Sequence, residues 1–161
     1  MPTLQRTGKE ITEIYNRQVD TVYRICYSFM KNTADTEDMV QETFLRLIRS
    51  NMVFQSEEHE KAWLIVTASN LCKDTLKKWW RKSEDIDEHT SDMITPPFEV
   101  NHVLEAIMNL PASQKTAVYM HYYEGYSAEE IAAYLKCPAS TVRSRLARAR
   151  KTLRHKLGGD F

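Results

Sequence analysis

The sequence predicts an all-α fold made of two small helical domains joined by an acidic linker. The 161 residues include only 4 Gly and 5 Pro, so turns are few and the elements between them are long. Apolar residues recur at spacings of three and four, which is the period of a helix buried along one side. The charges sum to zero, but they are unevenly distributed and separate an acidic segment from two basic halves.

The charge distribution defines the predicted domain boundaries. Residues 1–82 contain 13 Lys and Arg against 11 Asp and Glu, and residues 101–161 contain 9 against 5. Residues 83–100 contain 6 acidic residues and no Lys or Arg, together with Pro96-Pro97. Such a segment cannot bury much apolar area, so we expect a linker there.

The N-terminal domain is predicted to contain three or four helices. The first runs from about Glu10 to Met30, and the second follows a polar break and runs to about Ser50. A long helix follows from about Glu58 to Arg81. The second and third helices begin with acidic residues and end with basic ones, which suits the helix dipole at both ends.

Turn and capping residues divide the C-terminal domain into helices. Pro111 suits the first turn of one helix, and Gly125 suits its C-terminal cap. Ser127 and Glu130 then form a capping box that starts a short helix. A last helix follows a turn at residues 136–138, so the pair has the helix-turn-helix arrangement.

The last helix carries the strongest signal for nucleic-acid binding. Residues 140–157 contain 7 Lys and Arg and no acidic residue. A solvated basic helix is common, but phosphate attraction explains an uncompensated run that directly follows a capped helix and a turn. Residues near the start of the helix are placed to contact base edges in the major groove: Ser140, Thr141, Arg143, Ser144 and Arg145.

Two further clusters are ambiguous on spacing alone. Trp79 and Trp80 lie among lysines and arginines at the end of the third helix, as in proteins that stack single-stranded bases. Capping of a hydrophobic core by the two tryptophans is an equally good interpretation. Asp38, Gln41 and Glu42 share one helix face. A contact surface for a basic partner is one interpretation of that face, and a solvated face is the better one on spacing alone.

The sequence contains no G-x-G-x-x-G, P-loop, H-E-x-x-H or G-x-S-x-G motif, so no catalytic, metal or cofactor site is predicted. Cys26, Cys72 and Cys137 form no C-x-x-C pair, and we expect buried structural thiols. No apolar stretch approaches the ~18 residues of a membrane span, and no signal-peptide pattern is present. We therefore expect a cytoplasmic protein without membrane insertion.

Several stretches, in this order, resemble the extracytoplasmic-function (ECF) group of bacterial RNA polymerase sigma factors. ADTEDMVQETFLRL at 34–47 is similar to the family's polymerase-binding helix, and AWLIVTASNL at 62–71 to its helix for melting and reading the minus-ten element. Three further stretches resemble the family's minus-thirty-five domain: LP at 110–111, EGYSAEEIA at 124–132 and STVRSRLARAR at 140–150. The resemblance implies a factor that directs core RNA polymerase to specific promoters and helps initiate transcription by melting them.

The resemblance also implies a role for each cluster in the N-terminal domain, which would bind polymerase and read the minus-ten element. Asp38, Gln41 and Glu42 would contact the clamp helices of the polymerase's largest subunit. Asn70 would help hold a base flipped from the non-template strand, at a cost of a few kcal/mol. The nearby DNA backbone would lie against Lys73, Lys77 and Lys78.

In the C-terminal domain the resemblance implies that Arg143, Ser144, Arg145 and Arg148 sit at the minus-thirty-five element. The expected partners are core RNA polymerase, promoter DNA and an anti-sigma factor. The sequence departs from the family at Lys136, where the turn often has Gly. A left-handed backbone there would cost Lys about 1 kcal/mol. Trp79-Trp80 interrupts what is often an all-basic stretch.

Two alternative functions belong to other classes. An ordinary helix-turn-helix regulator with an N-terminal sensing domain would bind its operator tightly without polymerase. The resemblance at residues 34–47 argues against it. An adaptor that binds only protein would leave the arginines of the last helix without a purpose.

Overall fold

The computed structural model describes residues 6–82 and 101–157, which belong to two compact units. The first unit contains α1 (Gly8–Met30), α2 (Thr33–Arg49) and α3 (Glu57–Lys82). The second contains α4 (His102–Met108), α5 (Ala112–Val118), a π-helical turn (Tyr119–Tyr123), α6 (Ala128–Leu135) and α7 (Ala139–Leu157). These described residues include no β-strand, and the all-α prediction is confirmed. The predicted linker, residues 83–100, lies outside the described residues.

In the first unit, α1, α2 and α3 pack against one another around one apolar core. Local capping defines where the first two helices begin. The Thr7 hydroxyl accepts the backbone N–H of Glu10 at 3.1 Å, and the Asn32 side chain accepts that of Asp35 at 2.9 Å. The fully buried apolar side chains of this core come from all three helices: Val22, Ile25, Cys26, Leu47, Ala62, Leu64, Ile65, Ala68 and Cys72.

A charged network joins α1 to the first turn of α3. Arg17 donates from Nε and Nη2 to the two carboxylate oxygens of Glu60, both at 3.0 Å. Gln18 donates to the same carboxylate at 3.0 Å. The hydrogen bond to Glu60 raises the pKa of the Arg17 guanidinium. Glu60 is buried, so these three hydrogen bonds supply the partners that a desolvated carboxylate requires.

Two of the three cysteines meet in this core. Cys26 of α1 and Cys72 of α3 are both fully buried and unbridged. A hydrogen bond between the two thiols, together with burial, raises the pKa of Cys26 well above its ordinary value. Cys137 is only half-buried, so the expected burial of all three thiols was wrong for that residue. Its position in the turn before α7 leaves one side open to solvent.

The second unit differs from the sequence prediction in two places. A short helix, α4, was missed, although Asn101 caps it through the backbone N–H of Leu104 at 2.8 Å. The helix expected between Pro111 and Gly125 is α5 followed by the π-helical turn. Pro111 occupies the N-cap position. Gly125 has a φ of 83°, in the left-handed region that favours glycine, as expected for a helix end.

The helix-turn-helix pair forms as the sequence predicts. Ser127 and Glu130 make both capping-box hydrogen bonds, at 3.1 and 3.0 Å, at the start of α6. The side chains on either side of the cap, Tyr126 and Ile131, are buried. Lys136 ends α6 in a left-handed conformation, with φ 56° and ψ 48°. The strain expected for a non-glycine residue at this turn is therefore present.

Candidate functional site

The first candidate surface is the outer face of α2. Asp38 and Gln41 are exposed, and Glu42 is half-exposed. The structure brings the three predicted residues to one side of the helix, away from the buried Val40, Phe44 and Leu47 of the core side. Glu42 also lies 3.6 Å from Arg46 of the next turn, a partly solvated pair that contributes little stability.

An apolar groove of about 510 Å³ lies beside this face, between α1 and α2, and the sequence analysis missed it. Tyr15 and Ile48 line it and are 44% and 47% exposed. Gln41 lines the same groove, so the groove adjoins the polar face. No sequence signal distinguished these groove residues, because α1 and α2 each pack against two other helices, which by itself accounts for a wide apolar face.

The second candidate surface is the solvent side of α3. Its core side is defined by the buried Leu64, Ile65, Ala68 and Cys72. At 3.6 residues per turn, Asn70, Lys73 and Lys77 share a stripe roughly opposite that side, and Lys78 lies on its flank. Asn70, Lys77 and Lys78 are exposed and Lys73 is half-buried. The fold therefore presents the predicted asparagine and lysines along one long helix.

The two tryptophans at the end of α3 have different surroundings. Trp79 is half-buried, whereas Trp80 is 83% exposed. The interpretation in which both cap a hydrophobic core is therefore wrong for Trp80.

The connection between α2 and α3 is held by an arginine that sequence reasoning did not select. Arg6 donates to the carbonyl oxygens of Leu47 and Ser50, both at 3.3 Å, and to that of Met52. Its guanidinium lies 5.1 Å from the centre of the Phe54 ring. These contacts span more than 40 residues of sequence, so no local pattern could have indicated them.

The third candidate surface is α7, which packs against α5 and α6. Its buried stripe is Val142, Leu146, Ala149 and Leu153, as the periodicity predicts. The predicted DNA-contacting residues on exposed positions are Ser140, Arg143, Ser144 and Arg148, while Thr141 and Arg145 are half-buried.

Arg143 and Arg150 of α7 form hydrogen bonds within the unit. Arg143 donates to Glu129 of α6 at 3.1 Å, and both side chains are mostly exposed. Arg150 is half-buried and donates to the hydroxyl of Tyr122 at 2.9 Å. The basic run is therefore partly compensated, contrary to the sequence analysis. The cause is tertiary, because Glu129 comes from the preceding helix.

Further along α7, a shallow depression of about 420 Å³ extends the basic surface. It is lined by Arg148, Lys151, Thr152 and His155. Arg148 and Lys151 belong to the basic run that the sequence singled out, whereas Thr152 and His155 were not selected. Lys151, Thr152 and His155 lie one, two and five residues beyond the resemblance at 140–150. Cations and hydroxyls on an exposed helix face can bind phosphate oxygens.

Other kinds of site are not seen in the part of the chain that the structure describes. Residues 6–82 and 101–157 contain no group of three or more His, Cys, Asp or Glu side chains that could hold a metal ion. Across the same ranges, no helix is both long and apolar enough to cross a membrane.

Comparison with known proteins shows the family of this chain. The family described as Sigma-70 region 2 matches residues 14–82, and the family described as Sigma-70, region 4 matches residues 101–153. The ECF RNA polymerase sigma-E factor of Haemophilus influenzae is 34% identical over an alignment 141 residues long. The alignment covers 76% of this chain and 75% of that protein. The chain belongs to the ECF family of RNA polymerase sigma factors.

Further relatives agree with this ECF sigma factor assignment. The ECF RNA polymerase sigma factor SigE of Mycolicibacterium smegmatis is 34% identical, over 88% of this chain and 59% of that protein. The fold is similar to the solved structure of the sigma factor RpoE in complex with the anti-sigma factor NepR from Bartonella quintana. The TM-score is 0.76 at 22% identity, over 95% of this chain and 99% of that one. The protein is accordingly a transcription initiation factor that acts in promoter recognition.

Proposed function

We propose that this ECF sigma factor binds core RNA polymerase through Asp38, Gln41 and Glu42 on α2. The support is that α2 presents these side chains together, on a helix fixed by the core on its other side. A polar and acidic face next to an apolar groove suits a protein partner better than DNA, because acidic groups repel phosphates.

The minus-ten step of the proposal uses the solvent side of α3. Asn70 would hold a base flipped from the non-template strand, and Lys73, Lys77 and Lys78 would neutralise the adjacent backbone. This is how the protein would help polymerase melt a promoter. The length of α3, which extends through Lys82, allows one rigid element to position the asparagine and the lysines.

The minus-thirty-five step uses α7 as the second helix of the helix-turn-helix pair. Ser140, Thr141, Arg143, Ser144, Arg145 and Arg148 are the proposed contacts. Residues at the start of such a helix meet base edges, and later ones meet phosphates. The Arg143–Glu129 pair holds that guanidinium at the start of α7, where it would exchange a solvated partner for a base or phosphate.

One observation carries the proposal: the two sigma-70 regions match in order on two compact units. The first unit exposes polar faces on α2 and α3, and the second exposes one on α7. The proposed domains are residues 1–82 and 101–161, with a linker over 83–100. In this mechanism the chain binds and orients polymerase and DNA, makes and breaks no covalent bond, and is not an enzyme. It would act in the cytoplasm, where promoters and polymerase are found.

The experiment that tests the proposal is run-off transcription with core polymerase on a promoter library, with and without the protein. Promoter-specific transcripts should depend on the protein and should be lost with Glu42→Lys or Asn70→Ala. Matched controls are Glu13→Lys and Asn16→Ala, which change exposed residues of the same types on α1. No transcripts, together with tight sequence-specific DNA binding by the protein alone, would leave an ordinary helix-turn-helix regulator.

An anti-sigma factor is a further proposed partner. The support is the solved sigma factor of similar fold, which was crystallised with an anti-sigma factor. Among the surfaces of the described residues, the apolar groove between α1 and α2 is best suited to such a protein. We expect a protein to co-purify with the wild-type chain, to fail to bind the Ile48→Glu variant, and to be displaced by core polymerase. A partner that binds at the same time as polymerase would contradict shared use of this surface.

A further inference from the structure

Trp80 is the most exposed large apolar side chain of the described residues, at 83%. Burial of an indole is among the most favourable events in folding, so an indole left in water needs an explanation. The adjacent Trp79 is half-buried. Burial in the fold therefore covers part of Trp79 but leaves most of the Trp80 side chain exposed to solvent.

The position of Trp80 along α3 connects it with the proposed minus-ten surface. At 100° per residue, Trp80 shares an arc of about 80° with Asn70, Lys73 and Lys77. The rise of about 1.5 Å per residue separates Asn70 from Trp80 by about 15 Å along the axis. This distance is several times the 3.4 Å spacing of stacked bases, so the two side chains must meet different nucleotides.

The residues of α3 around Trp80 are mostly basic. Residues 73–82 contain five Lys and Arg and a single acid, Asp74. Four of those cations, Lys77, Lys78, Arg81 and Lys82, are exposed. Cations at the end of a helix also suit its dipole, but the dipole gives no reason for an exposed indole. An aromatic ring among cations is the combination that binds single-stranded nucleic acid, because the ring stacks on a base while the cations meet phosphates.

We infer that Trp80 is a stacking site for an unpaired promoter base, separate from the base held at Asn70. The inference rests on the proposed function, in which α3 faces melted DNA. A duplex hides the faces of its bases, so the ring can stack only after strands separate. The charges around Trp80 favour a polyanion over an apolar protein surface, which would require apolar neighbours.

The test uses polymerase holoenzyme assembled with the full chain and a promoter fragment from the transcription experiment, prepared with an unpaired minus-ten region and as full duplex. Trp80→Ala should weaken binding to the unpaired fragment by about 5- to 150-fold. Trp80→Tyr and Trp80→Phe should retain most of the affinity, whereas Trp80→Leu should behave like Trp80→Ala. Binding to core polymerase without DNA should not change. Because the side chain is exposed, all four variants should keep the wild-type melting temperature.

A scan of abasic nucleotides locates the partner base. At one unpaired position, removal of the base should weaken wild-type binding by at least about fivefold and should not weaken Trp80→Ala binding. The inference is overturned if no position shows this coupling, if Trp80→Leu binds like wild type, or if Trp80→Ala weakens the DNA-free complex with polymerase, which would indicate a protein contact. A wild-type holoenzyme without promoter-dependent binding overturns both this inference and the proposed function.

Discussion

At the scale of single residues, a few buried polar groups fix the geometry of the proposed binding helices. Glu60 holds the first turn of α3 against α1 by accepting three hydrogen bonds from Arg17 and Gln18. Because α3 is one continuous helix, its orientation at this end determines where Asn70 projects. A buried carboxylate with fixed partners is therefore a positioning group for a surface several turns away.

Glu60→Gln should lower the free energy of unfolding of the first unit by roughly 1.5–3 kcal/mol, because charge-assisted hydrogen bonds to a buried group are lost. Fluorescence of the three tryptophans during urea unfolding reports on this unit alone, since Trp63, Trp79 and Trp80 all lie on α3. The matched control is Glu57→Gln, at the same helix end and 3.8 Å from the same arginine but 71% exposed. Its effect should stay below about 0.5 kcal/mol, and equal effects would contradict the burial argument.

Gly125→Ala should destabilise the second unit by about 1 kcal/mol. An added Cβ meets open space, so the whole effect comes from the left-handed backbone, with φ at 83°. Thermal melting followed by circular dichroism would measure it. Gly8→Ala is the comparison, because its Cβ also has open space but its backbone is helical, so stability should stay equal or rise. A neutral Gly125→Ala would indicate that the helix end can relax.

The buried thiol of Cys26 should make the first unit less stable in alkali. Its pKa is raised in the folded state by the Cys72 hydrogen bond and by burial. Below the unfolded thiol pKa of about 8.5, both states hold the proton and stability is unaffected. Above it, the unfolded chain releases the proton and the folded chain keeps it, so stability falls by about 1.4 kcal/mol per pH unit. In urea unfolding with reductant from pH 7 to 9.5, Cys26→Ala should show a shallower decline, and parallel curves would contradict this.

At the scale of helices, different positions of α7 serve packing and the proposed DNA contacts. Val142, Leu146, Ala149 and Leu153 hold it in the unit, while Arg143 and Arg150 are partly engaged with Glu129 and Tyr122. The depression around Arg148 and Lys151 lies on the side of the helix opposite the buried stripe, and its side chains can bind phosphate oxygens.

Arg148→Ala combined with Lys151→Ala should therefore weaken holoenzyme binding to duplex fragments of different sequence by similar factors. If each residue neutralises one phosphate, the slope of log affinity against log salt should become less steep by about 1.8 in total. Lys9→Ala, which removes an exposed cation on α1, should leave the slope unchanged. A loss confined to one promoter sequence would instead assign these residues to base readout.

At the scale of the whole molecule, the distribution of charge matters more than its sum. The net charge is zero because the 6 acidic residues of 83–100 balance two basic halves. A chain without excess positive charge has little long-range attraction for DNA, so firm promoter binding should require polymerase.

Replacement of the six acidic residues in 83–100 by their amides would raise the net charge from zero to +6. The chain without polymerase should then bind duplex DNA about tenfold more tightly or better at low salt, with the gain lost as salt rises. Fluorescence anisotropy with a labelled duplex measures this. The gain in affinity could come from the net charge or from the segment itself. A second variant, in which six exposed acidic residues of the helices are replaced by their amides, separates these causes. An equal gain in DNA affinity would assign the effect to net charge and not to the segment.

Much of the fold was predictable because its signals are local. The end of α1 at Met30 and the start of α6 at Ala128 agree with the periodicity and the capping box. The short α4 was missed, although Asn101 gave a capping signal. The π-helical turn had no such signal, and the contact from Arg150 to Tyr122 that accompanies it joins residues 28 positions apart.

The sequence by itself determined most of the helices, their order, the charge separation and the family, because hydrophobic periods, caps and motifs involve residues a few positions apart. Only the tertiary structure decided which side chains meet across helices. It paired Arg143 with Glu129, joined Cys26 to Cys72 and left Trp80 in solvent. The partner of a side chain depends on neighbours that are distant in the chain, and spacing along one helix indicates which face is buried but not what that face meets.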